Sequence, residues 1–307
     1  MQEGIGLWGI PLAMLGGAIR VSTPYLFVAL GETITEKSGR VNLGLEGTLV
    51  LGAVTAYGVS YLSGSPWLGV GCAGLCGVAL GALHAFLCSR PRVNHVAVGI
   101  AIMLFGTGLA FYLGKPLIQP EAPSLPALDL GAVFSDVPAV REALRVNPLF
   151  LLGIALAPVL AYLMQNTRWG LVLRMVGESS DASRALGYSV ERVRWYATMA
   201  GGFLSGIGGS FLSLYYPGVW NEGLSSGQGL IAVALVIFAR WNPVHCLYAS
   251  LLYGAAGSIG LALQSAGIQV SPHLLGTTPA VLTLVIMIAT CSPDRALAGT
   301  PRELSMG

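Results

Sequence analysis

Residues 177–212 read GESSDASRALGYSVERVRWYATMAGGFLSGIGGSFL. The first eighteen hold six charges, and the last eighteen hold none and five glycines. Gly202 and Gly206, and Ser205 and Gly209, recur at i, i+4. That spacing puts small residues on one helix face, where another helix backbone can approach closely. The same pattern recurs at Gly77 and Gly81. This is the pattern of a helix packed inside a bundle, preceded by a polar connector.

Composition carries that reading outward. Of 307 residues, 54% are hydrophobic and only 10% charged, with 42 glycines, and mean hydropathy is +0.71. Soluble domains average roughly 25% charged residues, so a soluble enzyme, a disordered chain and a disulfide scaffold are excluded. Net charge is +2, which offers nucleic acid no basic surface. The five cysteines, Cys72, Cys76, Cys88, Cys246 and Cys291, lie in or beside apolar segments. No His falls at zinc spacing from them, so they read as packing residues and no metal site is expected.

A bilayer core of about 30 Å needs roughly 20 apolar residues per helix. Candidate spans are 5–31, 41–62, 66–89, 93–114, 148–164, 195–216, 229–239, 243–265 and 274–291. The seventh suits a half-helix better than a span. Arg20 would be costly in a helix centre, so the first segment is expected to be an interfacial stretch followed by a span from about Ser22. The fold class is therefore all-α, a polytopic transmembrane bundle of about eight to ten spans in one domain, 1–307.

Positive charge orients it. With 165–194 inside, the inner side collects Lys37, Arg40, Arg90, Arg92, Arg168, Arg174, Arg184, Arg192, Arg194, Arg240, Arg295 and Arg302. The outer side has Lys115, Arg141 and Arg145. The C-terminus is expected on the cytoplasmic side. Residues 115–147, with five prolines, read as an ordered extracytoplasmic cap in which Asp136 starts a short helix.

Within the inner loop, 165–194, residues 177–187 read as a short helix. Ser179 or Ser180 supplies the N-cap oxygen and Glu178 and Asp181 sit at the positive end of the dipole. Ala182, Ala185 and Leu186 form a small apolar face, and Gly187 is the stop. So short a helix must dock on something. It reads either as a solvated connector or as a coupling helix (Gly177, Glu178, Ala182, Ala185, Leu186, Gly187) for a cytoplasmic ATPase.

In this block the chain resembles the permeases of bacterial ABC importers for branched-chain amino acids, simple sugars and nucleosides. GETITEKSGRVNLGLEG at 31–47 and GQGLIAVALVIFARWNP at 227–243 are most similar to the shorter permease of the nucleoside branch. The resemblance covers about residues 20–295 and departs from the pattern at His95 and Met103, positions that bear on substrate choice. It implies a type II-like ABC importer permease in the bacterial cytoplasmic membrane, importing a nucleoside-like solute. A simple sugar, purine or flavin-like compound is the alternative. It implies a second, non-identical permease, an ATPase with two nucleotide-binding domains that binds ATP and Mg²⁺, and an extracytoplasmic substrate-binding lipoprotein. This chain would bind no cofactor of its own, and membrane lipid surrounds it.

Polar and aromatic residues at membrane depth are the translocation-path candidates: Asn42, Glu46, Asn94 and Phe105, with Tyr112 beside Phe105. Glu46 either faces the bundle interior or water or lies at the cytoplasmic interface, hydrated or paired with Arg40. The Gly-rich stretch around it suits a broken helix lining a cavity. Residues 223–227, G-L-S-S-G, match G-x-S-x-G but lie between apolar helices, expected as an outer loop, without the strand–turn–helix setting of a hydrolase. No P-loop is present. An ion-coupled secondary transporter or a channel is the remaining rival, although such carriers commonly use several buried carboxylates.

Overall fold

The computed structural model describes residues 9–90, 92–131, 138–265 and 299–305, with single residues 281 and 285. The expected span 274–291, Cys291 and Asp136 lie outside the described residues. Each of the other eight expected segments contains a helix among the described residues. They are α1 (Gly9–Lys37), α2 (Leu45–Ser63), α3 (Pro66–Cys88), α4 (His95–Gly114), α6 (Pro148–Asn166), α9 (Val190–Leu214), α10 (Gln228–Phe238) and α11 (Pro243–Ser265). Between them lie α5 (Pro138–Ala143), α7 (Arg168–Glu178) and α8 (Ser180–Ala185), and α12 (Arg302–Ser305) follows. Six of the described helices are long and apolar enough to cross a membrane, and α10 is a shorter apolar helix.

The first segment departs from expectation. α1 runs unbroken from Gly9 through Ser22 and Pro24 to Lys37, so among the described residues the helix has no break near Ser22, and Glu32 to Lys37 are helix rather than loop. Arg20 lines a cavity of about 230 Å³ with Ser124, Arg145, Tyr215 and Tyr216, a polar setting in which a charge is less costly than in hydrocarbon. The polar ceiling of that cavity comes from the 115–147 segment, information remote from Arg20 in sequence.

α9 is the hub, packing against α1, α2 and α3. In α9 83% of the apolar window is buried, against 22% in α4, so α9 is core while α4 presents an outer face. The expected glycine face explains the difference. A Cβ on Gly202 would overlap the Gly77 carbonyl, and one on Gly77 would overlap the Gly202 carbonyl. Close approach of this kind replaces the hydrophobic driving force that lipid cannot supply between helices.

The described residues of the proline-rich segment are tied to the bundle by hydrogen bonds. Prolines cannot donate, yet their carbonyls accept: Tyr57 donates to the Pro120 oxygen at 2.8 Å and Ser60 to the Pro123 oxygen at 2.8 Å. The Leu125 N–H donates to the Leu214 oxygen at 2.8 Å. Two-residue strands β1 (Leu128–Asp129) and β2 (Arg145–Val146) pair antiparallel, and α5 lies between them. This cap closes one end of the bundle. α7, α8 and α12 occupy the other.

Candidate functional site

Two constructions stand out, one inside the bundle and one at its α7–α8 end. The first is the half-helix α10. Its eleven residues rise only about 16 Å at 1.5 Å each, half of what a bilayer core requires. Backbone with positive φ bounds it on both sides: Ser226 and Gly227 before it, Arg240 and Trp241 after it.

A carboxyl group from another helix holds each end. Glu46, in the first turn of α2 and 8% exposed, accepts from the Gly229 N–H at 2.6 Å and from the Ser225 hydroxyl at 2.6 Å. The N-terminus of α10 thus points its positive end at Glu46. Glycine at 229 is required sterically, since a Cβ there would stand 2.6 Å from the carboxyl oxygen and 2.7 Å from the Glu46 Cα. At the other end the Trp241 indole N–H donates to Glu36, and the Lys37 ammonium lies 5.9 Å from the centre of the Trp241 ring.

This geometry corrects two expectations. The 223–229 run is not an outer loop. Ser225 is buried against the start of α2, roughly 16 Å along that helix from Tyr57 and the cap at 1.5 Å per residue. Segment 215–227 therefore descends into the bundle as non-helical backbone, which is tolerated at depth where protein surrounds it. Nor does Glu46 pair with Arg40. Arg40 donates instead to Glu191 at 2.7 Å and to the Cys88 oxygen at 3.2 Å, closing the end of α3 against the start of α9.

Asn42 belongs to the same block as Glu46. Its N–H donates to Glu32 at 2.7 Å and its side-chain oxygen accepts from the Gly44 N–H at 3.0 Å. The other Glu32 oxygen is buried without a hydrogen bond among the described residues. Asn94 and Phe105 stand apart from this block on α4. Asn94 caps α4, accepting from the N–H groups of Val96 at 2.8 Å and Ala97 at 3.2 Å. Phe105 is exposed, as is Tyr112. Sequence reasoning counted Glu32 beside Glu46 only as a buried carboxylate that an ion-coupled carrier would need, and passed over Glu36, because residues 32–40 were taken for a loop; the i, i+4 spacing of the two was the available signal.

The second construction is the α7–α8 turn. Gly177 and Glu178 end α7 rather than opening the short helix, which begins after an extended Ser179. The Ser179 hydroxyl accepts from the Ala182 N–H at 3.2 Å. Gly187, with φ of 86°, stops the helix as expected, its N–H reaching the Arg184 oxygen at 2.9 Å while Tyr188 reaches Ser183 at 3.0 Å. That left-handed conformation costs a glycine nothing. Ala182, Ala185 and Leu186 are all exposed, Leu186 at 67%. The apolar face therefore points away from the bundle.

What holds α8 in place is Glu303, a residue the sequence did not flag; an isolated Arg-Glu pair near the end of the chain is a weak signal. One carboxylate oxygen accepts from the Ser180 N–H at 2.7 Å, the other pairs with Arg194 at 3.2 Å, and Arg194 also donates to the Ser38 oxygen at 3.1 Å. Lys37 donates to the Gly299 oxygen at 2.8 Å. Burial pushes the Glu303 carboxyl up, but the Ser180 and Arg194 donors outweigh it and hold the group below the usual carboxylate range.

Residues 14–291 match the family described as branched-chain amino acid transport system permease component. The chain is 34% identical over 264 residues to TsgC13 of Haloferax volcanii, provisionally named a glucose ABC transporter permease protein, covering 85% of this chain and 80% of that one. It is 30% identical over 282 residues to the nucleoside ABC transporter permease protein NupC of Lactococcus lactis subsp. cremoris, covering 87% and 88%. It is 29% identical over 261 residues to the guanosine ABC transporter permease protein NupQ of Bacillus subtilis, covering 78% and 79%. The chain is a multi-pass membrane transport subunit, not an enzyme, and it belongs to the branched-chain amino acid transport system permease family.

Proposed function

We propose that this chain forms half of the translocation path of an ABC importer for a nucleoside-like solute, coupled to a separate ATPase through α8. The carrying observation is the α8 apex: a six-residue helix, capped by Ser179 and Gly187, with Ala182, Ala185 and Leu186 exposed. An exposed apolar face on so short a helix has no reason to exist unless a partner covers it. In this reading the apex faces the cytoplasm, as does the C-terminus, in the cytoplasmic membrane. The ATPase supplies two nucleotide-binding domains and binds ATP and Mg²⁺. A second, non-identical permease completes the path and an extracytoplasmic lipoprotein delivers the solute. Glu46 and Asn42, with Asn94 and Phe105 on α4, are the residues assigned to the path.

Nucleosides are favoured because NupC and NupQ carry nucleoside and guanosine in their names. TsgC13 and the fructose import permease protein FruF of Bifidobacterium longum keep a simple sugar as the second reading. Competition of radiolabelled guanosine uptake by unlabelled glucose and fructose separates the two.

The coupling assignment is tested with Leu186→Glu, Ala185→Glu and Gly187→Arg in the assembled transporter. Each is expected to leave the chain folded in the membrane while solute uptake falls by roughly tenfold or more, because a buried unpaired charge costs an interface several kcal/mol. Normal uptake by all three would show that α8 is only a connector.

A further inference from the structure

At the α7–α8 end lies a cavity of about 190 Å³, lined by Lys37, Met164, Gln165, Arg174, Arg240 and Asn242 among others. Three cations and two amides converge on it from four elements: the last residue of α1, the last turn of α6, α7, and the corner between α10 and α11. We propose that this cavity binds the phosphate-bearing headgroup of an anionic phospholipid.

The charge there is only partly balanced: Glu178 and Glu36 act on Lys37 electrostatically, and among the described residues neither forms an ion pair with a cation of the cavity. The Arg240 guanidinium makes no hydrogen bond or ion pair among the described residues. Lys37 spends one N–H on the Gly299 oxygen, leaving two. Arg174 makes only long contacts to backbone oxygens, at 3.4 Å to Gly170 and to Gln165. The nearest acids are engaged elsewhere: Glu36 accepts the Trp241 indole N–H in the interior, and Glu178 stands 3.7 Å from Arg302.

The backbone at this corner is held in a rare conformation. Arg240 and Trp241 both have positive φ, 51° and 53°, which costs a non-glycine residue roughly 1 kcal/mol. At this turn the Trp241 indole N–H reaches Glu36, and Trp241 and Arg240 both line the cavity. Lipid, rather than a soluble anion, is favoured by position. The cavity sits where two apolar helices end, α1 at Lys37 and α6 at Asn166, which is headgroup level. On the same turns of α6, Val159, Tyr162 and Leu163 are exposed and offer acyl chains a wall. Basic pockets between transmembrane helices bind anionic headgroups in this way.

Native mass spectrometry of the purified full-length chain, titrated with phosphatidylglycerol or with phosphatidylcholine, tests the assignment. Preferential retention of phosphatidylglycerol is expected. Arg174→Gln and Arg240→Gln should each weaken it about fivefold and together about 25-fold, from about 1 kcal/mol per basic residue. Arg192→Gln, an exposed arginine outside the cavity, should leave retention unchanged. Equal retention of the two lipids overturns the proposal. So does loss in Arg192→Gln as large as in the cavity variants, which would mean only diffuse charge. If inorganic phosphate displaces phosphatidylglycerol at equal concentration, the site is one for soluble anions and the lipid assignment falls. Should the double variant fail to fold, the two single variants carry the test.

Discussion

α10 and α8 are short helices placed by one device at two depths. In each, a carboxyl group from a distant element accepts an N–H from the first turn: Glu46 from Gly229, Glu303 from Ser180. The surroundings differ. Glu46 has a hydroxyl, not a cation, as its second donor and is buried within the bundle. Glu303 has Arg194 and a partly open surface, where water can replace either partner. Depth, more than the number of hydrogen bonds, sets how much each clamp is worth. The inner clamp suits a fixed element of the bundle, the outer one an element that meets a partner.

Breaking the inner clamp should have the largest effect. Glu46→Ala leaves the Ser225 hydroxyl and the Gly229 N–H buried without an acceptor and should destabilise the protein by about 3 kcal/mol. Glu46→Gln, which keeps one acceptor oxygen, should recover roughly half of that. Thermal melting of the detergent-purified chain measures both. Wild-type melting for Glu46→Ala would mean that packing alone holds α10.

Breaking the outer clamp should cost less. Glu303→Ala removes one cap and one ion pair and should weaken α8 by about 1 kcal/mol, roughly a fivefold faster hydrogen exchange over 179–186. The clamp also has a pH signature. The Glu303 carboxyl is held below the usual range in the folded state, so its contribution is complete above the ordinary glutamate pKa of about 4.3 and disappears as pH falls through the lower folded value. Exchange in wild type, corrected for intrinsic rate, should stay protected from neutral pH down to about 5 and converge with Glu303→Ala only under stronger acid. Convergence already near neutral pH would show that the Ser180 and Arg194 contacts do not control the group.

The smallest effect belongs to the ion pair on α8 itself. Asp181 and Arg184 are 3.2 Å apart, with side chains 93% and 54% exposed. Asp181→Ala should leave melting unchanged at any salt concentration, because such pairs contribute little and are screened. A salt-dependent loss would place this pair in the coupling machinery rather than on a solvated face.

Much of both regions was legible in advance. The expected segments 66–89, 229–239 and 243–265 fall within a residue or two of α3, α10 and α11. The N-cap of α8 falls on Ser179, one of the two serines expected, and its stop on Gly187. These features arise from interactions three to five residues apart, which local sequence contains. The failures share a different cause. α1 was cut at Arg20 because the polar cavity that receives the guanidinium comes from segments more than a hundred residues away. Ser225 was placed in an outer loop because its partner, Glu46, is 179 positions distant. Glu303 meets Ser180 across 123.

The sequence by itself determined a helical membrane bundle, several of its helix boundaries, its small-residue packing faces and its family. All of these follow from hydropathy, helical periodicity, local capping and motif. Only the tertiary structure decided what Glu46, Arg40, Glu36 and Glu303 hold, and that Arg20 is tolerable where it stands. A buried polar group takes its identity from the partner that satisfies it, and in this bundle those partners come from helices that the chain joins only after long excursions through the membrane.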